Sequence, residues 1–266
     1  MTTTPGGVRV LRDIPFAQYP GFRPVSLDLY LPDAAAPAPV ILQLHGGGWR
    51  VGSRSAFSPL ASQAQSFDRI VAAGFAVVAA DYRLSGEAVF PAQVTDVEKA
   101  FEWIAEHAAE HGIDPSRIVI WGGSAGGTLA ALVGLQSRPG IRGVIDWYGP
   151  SDLAGMSEHS KGRDEPGASR EDLWIGGYVP EHPDTAGAAS PVTHVHAGAP
   201  SFLIAHGLDD TDVPPSQSEA LAAALAAVGV DVQLHLEPGA GHFWKGLPDS
   251  SHLFDAAIAF AARVTS

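Results

Sequence analysis

The chain has 266 residues, of which 45% are apolar and 17% charged, a balance that suits a folded globular protein and excludes an intrinsically disordered one. Its formal charge of −13 argues against a nucleic-acid partner, because such binding draws on clustered Lys and Arg that release counterions. With no cysteine anywhere, thiol nucleophiles, disulfides and thiolate metal sites are ruled out.

Residues 1–7 lack the apolar core of a secretory signal, and no stretch reaches the roughly 18 uninterrupted apolar residues of a membrane span. A soluble, cytoplasmic chain with no membrane partner is the expectation. No repeat or linker divides the sequence, so one domain over residues 1–266 is expected, the Pro- and Ala-rich residues 32–39 being a loop between two strands.

Short β-rich runs at 25–31, 40–44, 76–80, 118–121, 144–147, 202–205 and 230–236 alternate with helical stretches. That alternation requires crossover connections, hence an α/β fold with a mostly parallel central sheet and helices on both faces. Pro91 opens one helix, whose apolar positions Val94, Val97, Phe101 and Ile104 recur at threes and fours up to a stop at Gly112. Further helices are expected over 125–135, 215–228 and 253–264. Residues 151–200 show no period, contain Gly, Pro, Trp174 and Tyr178, and read as a small lid inserted between strands.

The run 118–121 leads directly into Gly122-Gly123-Ser124-Ala125-Gly126-Gly127 and then a helix-forming Thr-Leu-Ala-Ala-Leu segment. This is G-x-S-x-G between a strand and a helix, where a tight bend lifts the serine above the sheet. Glycines two residues before and after Ser124 provide the room such a bend needs. A serine that merely caps a helix is the bland alternative. After the strand 40–44 comes His45-Gly46-Gly47-Gly48-Trp49, whose glycines let main-chain N–H groups approach a ligand. Gly47, Gly48 and Ala125 are the expected oxyanion donors, and His45 is expected to shape the loop. A phosphate-binding nest is disfavoured, because neither G-x-x-x-x-G-K-[ST] nor a helix-opening G-x-G-x-x-G occurs.

Two later loops supply an acid and a base in the order serine, carboxylate, histidine. His206-Gly207-Leu208-Asp209-Asp210-Thr211-Asp212 follows the run 202–205, and Pro238-Gly239-Ala240-Gly241-His242 follows the last strand. Spacing does not rank Asp209, Asp210 and Asp212. His242 sits on a glycine-flanked loop and is the expected base, in preference to His235 within a strand and His252 near the last helix.

Together these motifs, with Asp81-Tyr82-Arg83-Leu84, resemble compact α/β-hydrolase esterases similar to bacterial feruloyl esterases and hormone-sensitive-lipase-like carboxylesterases. The resemblance implies a Ser124, Asp210, His242 triad, with the acid four residues after the histidine of the His-Gly pair. It also implies acyl transfer on small esters, aryl, feruloyl or acetyl-sugar esters among them, with no cofactor and no metal. Only 44 residues precede His45, fewer than the larger lipase-like members carry, which points to an open, poorly capped site. Kynurenine formamidases also look similar, so amide hydrolysis is a competing expectation. A non-catalytic hydrolase-fold ligand-binding protein is a third, although such proteins typically lose a triad member.

Two histidine patterns are discounted as metal sites. His107, Glu110 and His111 form H-x-x-E-H in the last turn of a helix, where histidines interact favourably with carbonyls; His194 and His196 have no evident third ligand. Among the aromatics Trp49, Trp147, Tyr148, Trp174, Tyr178, Phe243 and Trp244, the substrate wall is expected first from Trp49 and Trp174.

Overall fold

Alternation along the strands sorts the core into two halves, one on each side of a single sheet. In the computed structural model, which describes residues 2–4, 7–57 and 63–266, that sheet has nine strands. The first elements are β1 (Thr2–Thr3), β2 (Arg9–Ala17), β3 (Val25–Leu31), β4 (Ala38–Leu44), α1 (Gln63–Ala72) and β5 (Ala76–Ala80). There follow α2 (Ala92–His111), β6 (Ile113–Gly123), α3 (Ala125–Gly134) and β7 (Ile141–Trp147). The short helices α4 (Leu153–Ser160), α5 (Arg170–Ile175) and α6 (Pro183–Ala188) come next, then β8 (Ser201–Gly207), α7 (Ser216–Ala227), β9 (Val232–Glu237) and α8 (Ser251–Thr265).

The strand order is β1-β2-β3-β5-β4-β6-β7-β8-β9, antiparallel as far as β5 and parallel from β5 to β9. Strands buried on both faces read as continuous apolar runs, as Val40-Ile41-Leu42 and Ala76-Val77-Val78 do. Val40, Leu42, Leu44, Val78 and Ile120 pack with Val97 and Ile104 of α2, Leu129 of α3 and Leu221 of α7. Their neighbours Ile41, Val77, Val119 and Ile145 face the opposite way, toward Phe67 and Ile70 of α1 and Leu253 and Phe260 of α8. Among the described residues no helix is long and apolar enough to cross a membrane.

The expected layering is therefore present, with differences at its margins. Strand β2 was not evident in the sequence. Its register slips between Leu11 and Ile14 and again between Pro15 and Ala17, and Asp13 adopts φ +57°, so the two-residue alternation that advertises a strand is broken. The last strand begins at Val232 and not at 230, because Gly229 is left-handed (φ +83°) and the Val230 N–H closes α7 onto Leu225 O. Helix α1 was not anticipated. Helix α2 ends as expected at Gly112, left-handed at φ +65°, whose N–H returns to Ala108 O.

Register in the parallel half brings the strand ends level. Leu44 lies beside Gly122, Gly122 beside Asp146, Asp146 beside Ile204, and Ile204 beside Leu234. The loops that follow β4, β6, β8 and β9 thus emerge along one carboxyl edge, where open α/β sheets bind ligands.

Candidate active site

Ser124 joins β6 to α3 with φ +55° and ψ −125°, a backbone region that side-chain-bearing residues rarely occupy. The bend is enforced by close approach of its flanks: a Cβ on Gly122 would lie 2.1 Å from Gly126 O, and one on Gly126 would lie 2.3 Å from Leu44 O. No residue but glycine fits at either place. Ser124 N–H donates to Trp147 O at 2.8 Å, and Ser124 O accepts from Thr128 N–H, which fixes the turn between two strands and a helix.

The turn aims the serine hydroxyl at His242. Ser124 Oγ lies 3.0 Å from His242 Nε2, and His242 Nδ1 lies 2.6 Å from Asp210 Oδ2, although the three residues are far apart in the chain. Asp210 is 5% exposed, whereas Asp209 and Asp212 face solvent, a distinction that spacing alone did not make. Asp210 Oδ1 accepts from the N–H groups of Asp212 and Val213 at 2.9 and 3.0 Å. The acid and histidine loops are also tied together directly, by Asp209 N–H to Ala240 O at 2.9 Å. Burial opposes a charge on Asp210, but the His206 and His242 imidazoles and the Val213 N–H outweigh it and hold this carboxyl well below the usual range.

The glycine loop after β4 rests against the serine turn, since a Cβ on Gly46 would come 2.8 Å from Gly123 O and 3.4 Å from Ser124 Cβ. Gly47, Gly48 and Trp49 all have positive φ, at 117°, 61° and 57°. Ala125, at the start of α3, completes the set of backbone groups expected to face an oxyanion. His45 holds the loop from beneath: it is buried, stacks on Tyr82 with centroids 4.2 Å apart, and its Nδ1 lies 2.8 Å from Gly46 O. Tyr82 Oη donates to His45 O at 2.8 Å, and burial lowers the basicity of the imidazole. The far end of the loop is pinned by Arg54, whose guanidinium reaches Asp13, Asp28 and Asp81 while its backbone N–H also donates to Asp81. Nothing in the G-x-S-x-G or HGGG patterns pointed to Arg54.

Trp49 and Trp174 do come together, but with each other. Their rings stack 4.0 Å apart and 5° from parallel, and their exposures are 1% and 0%. This corrects the expectation that they form a substrate wall, because neither has surface to offer a ligand; they join the glycine loop to α5. Trp174 Nε1–H donates to Gln93 Oε1 on α2, and the aliphatic part of Arg170 lies over Gly48. Residues 151–200 thus brace the loop through α5. The acid loop meets the same segment through Arg163, which donates to Thr211 O at 2.9 Å. Beside His242 the exposed aromatic surface comes from Phe243, half-buried and 4.3 Å from the imidazole centroid, with Tyr148 and Trp244 behind it.

The discounted histidines have structural surroundings. His107 and His111 stack on Trp103, His194 Nε2 contacts Ala188 O, and His196 Nε2 contacts Leu135 O.

The BD-FAE family profile matches residues 27–225. Esterase LipQ of Mycobacterium tuberculosis is 33% identical over 96% of this chain and 59% of its own length. The chain belongs to the BD-FAE family. Among other relatives of this BD-FAE chain, carboxylesterase NlhH of the same organism is 32% identical over 84% of the chain and 72% of its own length. The chain spans about three fifths of the length of LipQ and of LipM, the latter described as a probable carboxylic ester hydrolase. A solved structure described as a truncated form of a carbohydrate esterase from gut microbiota superposes with TM-score 0.85 at 28% identity, covering 97% of this chain and 96% of that one. A bacterial heroin esterase superposes with TM-score 0.75 at 28% identity, covering 97% and 84%. The BD-FAE chain thus shares the α/β-hydrolase fold with these esterases.

Proposed function

We propose that the chain is a carboxylic ester hydrolase acting on small or short-chain esters through Ser124, His242 and Asp210. The observation that carries this reading is the continuous relay from Ser124 Oγ through both ring nitrogens of a single imidazole to a buried carboxylate. In the acylation step, His242 Nε2 accepts the Ser124 proton as Oγ attacks the ester carbonyl, and the N–H groups of Gly47, Gly48 and Ala125 stabilise the oxyanion. His242 then gives the proton to the departing alcohol. Water repeats the cycle on the acyl-enzyme, while Asp210 holds the tautomer and offsets the charge of the imidazolium.

No residue in this scheme calls for a metal or an organic group. In this reading Phe243, beside the His242 imidazole, meets the substrate, and residues 151–200 brace the glycine loop through α5. The names of the relatives support an ester substrate, and the carbohydrate esterase likeness makes acetylated sugars a substrate class to include.

The test combines two measurements. A fluorophosphonate probe should label Ser124 and should fail to label Ser124→Ala, which should lose on the order of 10⁶ in turnover of p-nitrophenyl acetate. Retention of more than about 1% of activity by that variant would overturn the reading. A panel of acetyl, feruloyl, acetyl-sugar and matched amide substrates, scored by kcat/KM, separates esterase from amidase, and a clear preference for amides would overturn the ester assignment.

A further inference from the structure

The acid of the relay is not held by His242 alone. A second imidazole, His206, is wholly enclosed at the end of β8, with its side chain 0% exposed. Its Nε2 lies 2.9 Å from Val213 O and 3.3 Å from Asp210 Oδ2, the same oxygen that His242 contacts from the other side at 2.6 Å. Its Nδ1 lies 2.7 Å from Ser218 Oγ on α7. A carbonyl and a carboxylate oxygen accept only, so Nε2 carries a proton, and in the neutral tautomer Nδ1 accepts a hydrogen bond from the Ser218 hydroxyl. Ser218 thereby sets the tautomer of His206 from one side and Val213 sets it from the other.

That bond has a structural consequence for the acid. Residues 207–213 form a tight loop in which Asp210 N–H donates to Gly207 O and Asp210 Oδ1 accepts from Asp212 and Val213. His206 closes the loop from inside by reaching across it to Val213 O. The same fastening turns the buried Asp210 inward and leaves Asp209 and Asp212 in solvent. The groups packed against His206 are Asp146 on β7, Tyr148 after it, Ser218 on α7 and Asp210; burial pushes the Asp146 carboxyl up to about 7, which limits the negative charge beside the ring.

We infer that His206 is a positioning residue for the ester hydrolysis: an inner imidazole, oriented by Ser218, that fastens the acid loop so that Asp210 meets His242 Nδ1. It touches no reacting atom and acts through Asp210. This rests on the esterase reading for its kinetic consequences, but not for its structural one.

The experiment compares His206→Asn with His206→Gln. The amide nitrogen of Gln reaches the place of Nε2, whereas that of Asn reaches only the place of Nδ1. Asn should lower kcat on p-nitrophenyl acetate by about 10- to 100-fold with KM within about threefold, and should move the acid limb of kcat/KM to lower pH, since a poorly held Asp210 stabilises the imidazolium less. Gln should recover most of the loss. Ser218→Ala, a milder change that leaves the ring in place, should shift the same quantities in the same direction by a smaller factor. In an Asp210→Asn background the His206→Asn change should cost less than about twofold more, because the group it acts through is already lost.

A readout independent of turnover is the low-field proton resonance of the His242 to Asp210 hydrogen bond, which His206→Asn should shift upfield or broaden away. If the wild-type protein hydrolyses no ester, the functional reading fails while this resonance still decides the role of His206. Equal impairment by Asn and Gln with an unmoved resonance and pH profile, or an undiminished effect in the Asp210→Asn background, would overturn the inference.

Discussion

Trp49 and Trp174 lie face to face with ring centroids 4.0 Å apart, and this contact couples the glycine loop after β4 to helix α5 of the segment between β7 and β8. Phe90 packs edge-on against Trp174 and donates its backbone N–H to Trp174 O at 2.8 Å, so the stack is held from a third element. Trp174→Ala should destabilise the protein by about 3–5 kcal/mol, the usual cost of emptying a large aromatic site. If the stack also sets the position of Gly47 and Gly48, kcat should fall in the fully folded variant while KM moves less. Trp174→Phe should recover part of both. Thermal melting alongside Michaelis kinetics reads the two effects separately.

Arg54 should be irreplaceable for a different reason. Its guanidinium is 16% exposed and serves Asp28 and Asp81, which are 4% and 8% exposed, together with the solvent-facing Asp13. Arg54→Met would leave the buried Asp81 without its cation and Asp28 with Arg12 alone, and the loss should be about 3–5 kcal/mol, read by urea denaturation. Lysine should not restore it, because a single ammonium cannot reproduce the fork that spans these partners. Double replacement of Asp81 and Arg54 by apolar residues should be milder than Arg54→Met alone, since Asp28 keeps Arg12.

Gly48→Ala tests the contact between the glycine loop and α5. A Cβ there would meet the Arg170 side chain at 2.6 Å, and the residue has φ +61°, so the variant carries both a clash and backbone strain. Turnover should drop by on the order of 10²-fold, the scale of losing one oxyanion donor. Adding Arg170→Ala removes the clash but not the strain, so the double variant should recover only part of the activity. Full recovery would show that the φ value is unimportant.

Two buried aspartates should give opposite pH signatures. Asp210 is held below its ordinary range in the folded chain, so its carboxylate contributes stability that is present above the unfolded value near 3.8 and is lost as pH falls toward the folded value. Asp146 is raised to about 7 by burial, and its Oδ2 has no partner among the described residues. Its ionisation in the unfolded chain costs folding free energy increasingly from about pH 4 to pH 7, and the cost levels off above that. Asp146→Asn keeps an acceptor for the Gly149 N–H and should raise the melting temperature relative to wild type by more at pH 8 than at pH 5. Asp210→Asn should behave in reverse, losing stability at pH 7 relative to pH 3, with kcat down on the order of 10⁴-fold.

The chain's own pattern was enough for the parallel half of the sheet, since strands such as Val40–Leu44 and Ala76–Ala80 are buried on both faces and must be apolar throughout. Strand β2 was not legible. Asp13 and Pro15 interrupt its alternation, and its order depends on partners elsewhere, Asp13 N–H donating to Asp28. Ser124 and His242 stood out because glycines mark their bends locally. Asp210 was distinguished from its neighbours by resemblance alone, and the ranking has a physical basis only once His206, Val213 and His242 surround one carboxyl.

Local sequence determined where the backbone must turn sharply and which runs must be buried, because glycine tolerance and hydrophobic spacing act over a few residues. Folding decided everything that depends on side chains meeting across the molecule. Trp49 read as a ligand-facing aromatic and became the partner of Trp174; Arg54, which no motif marked, became the anchor of three carboxylates. Such outcomes are set by packing between distant segments, and no short window of sequence contains both halves of the contact.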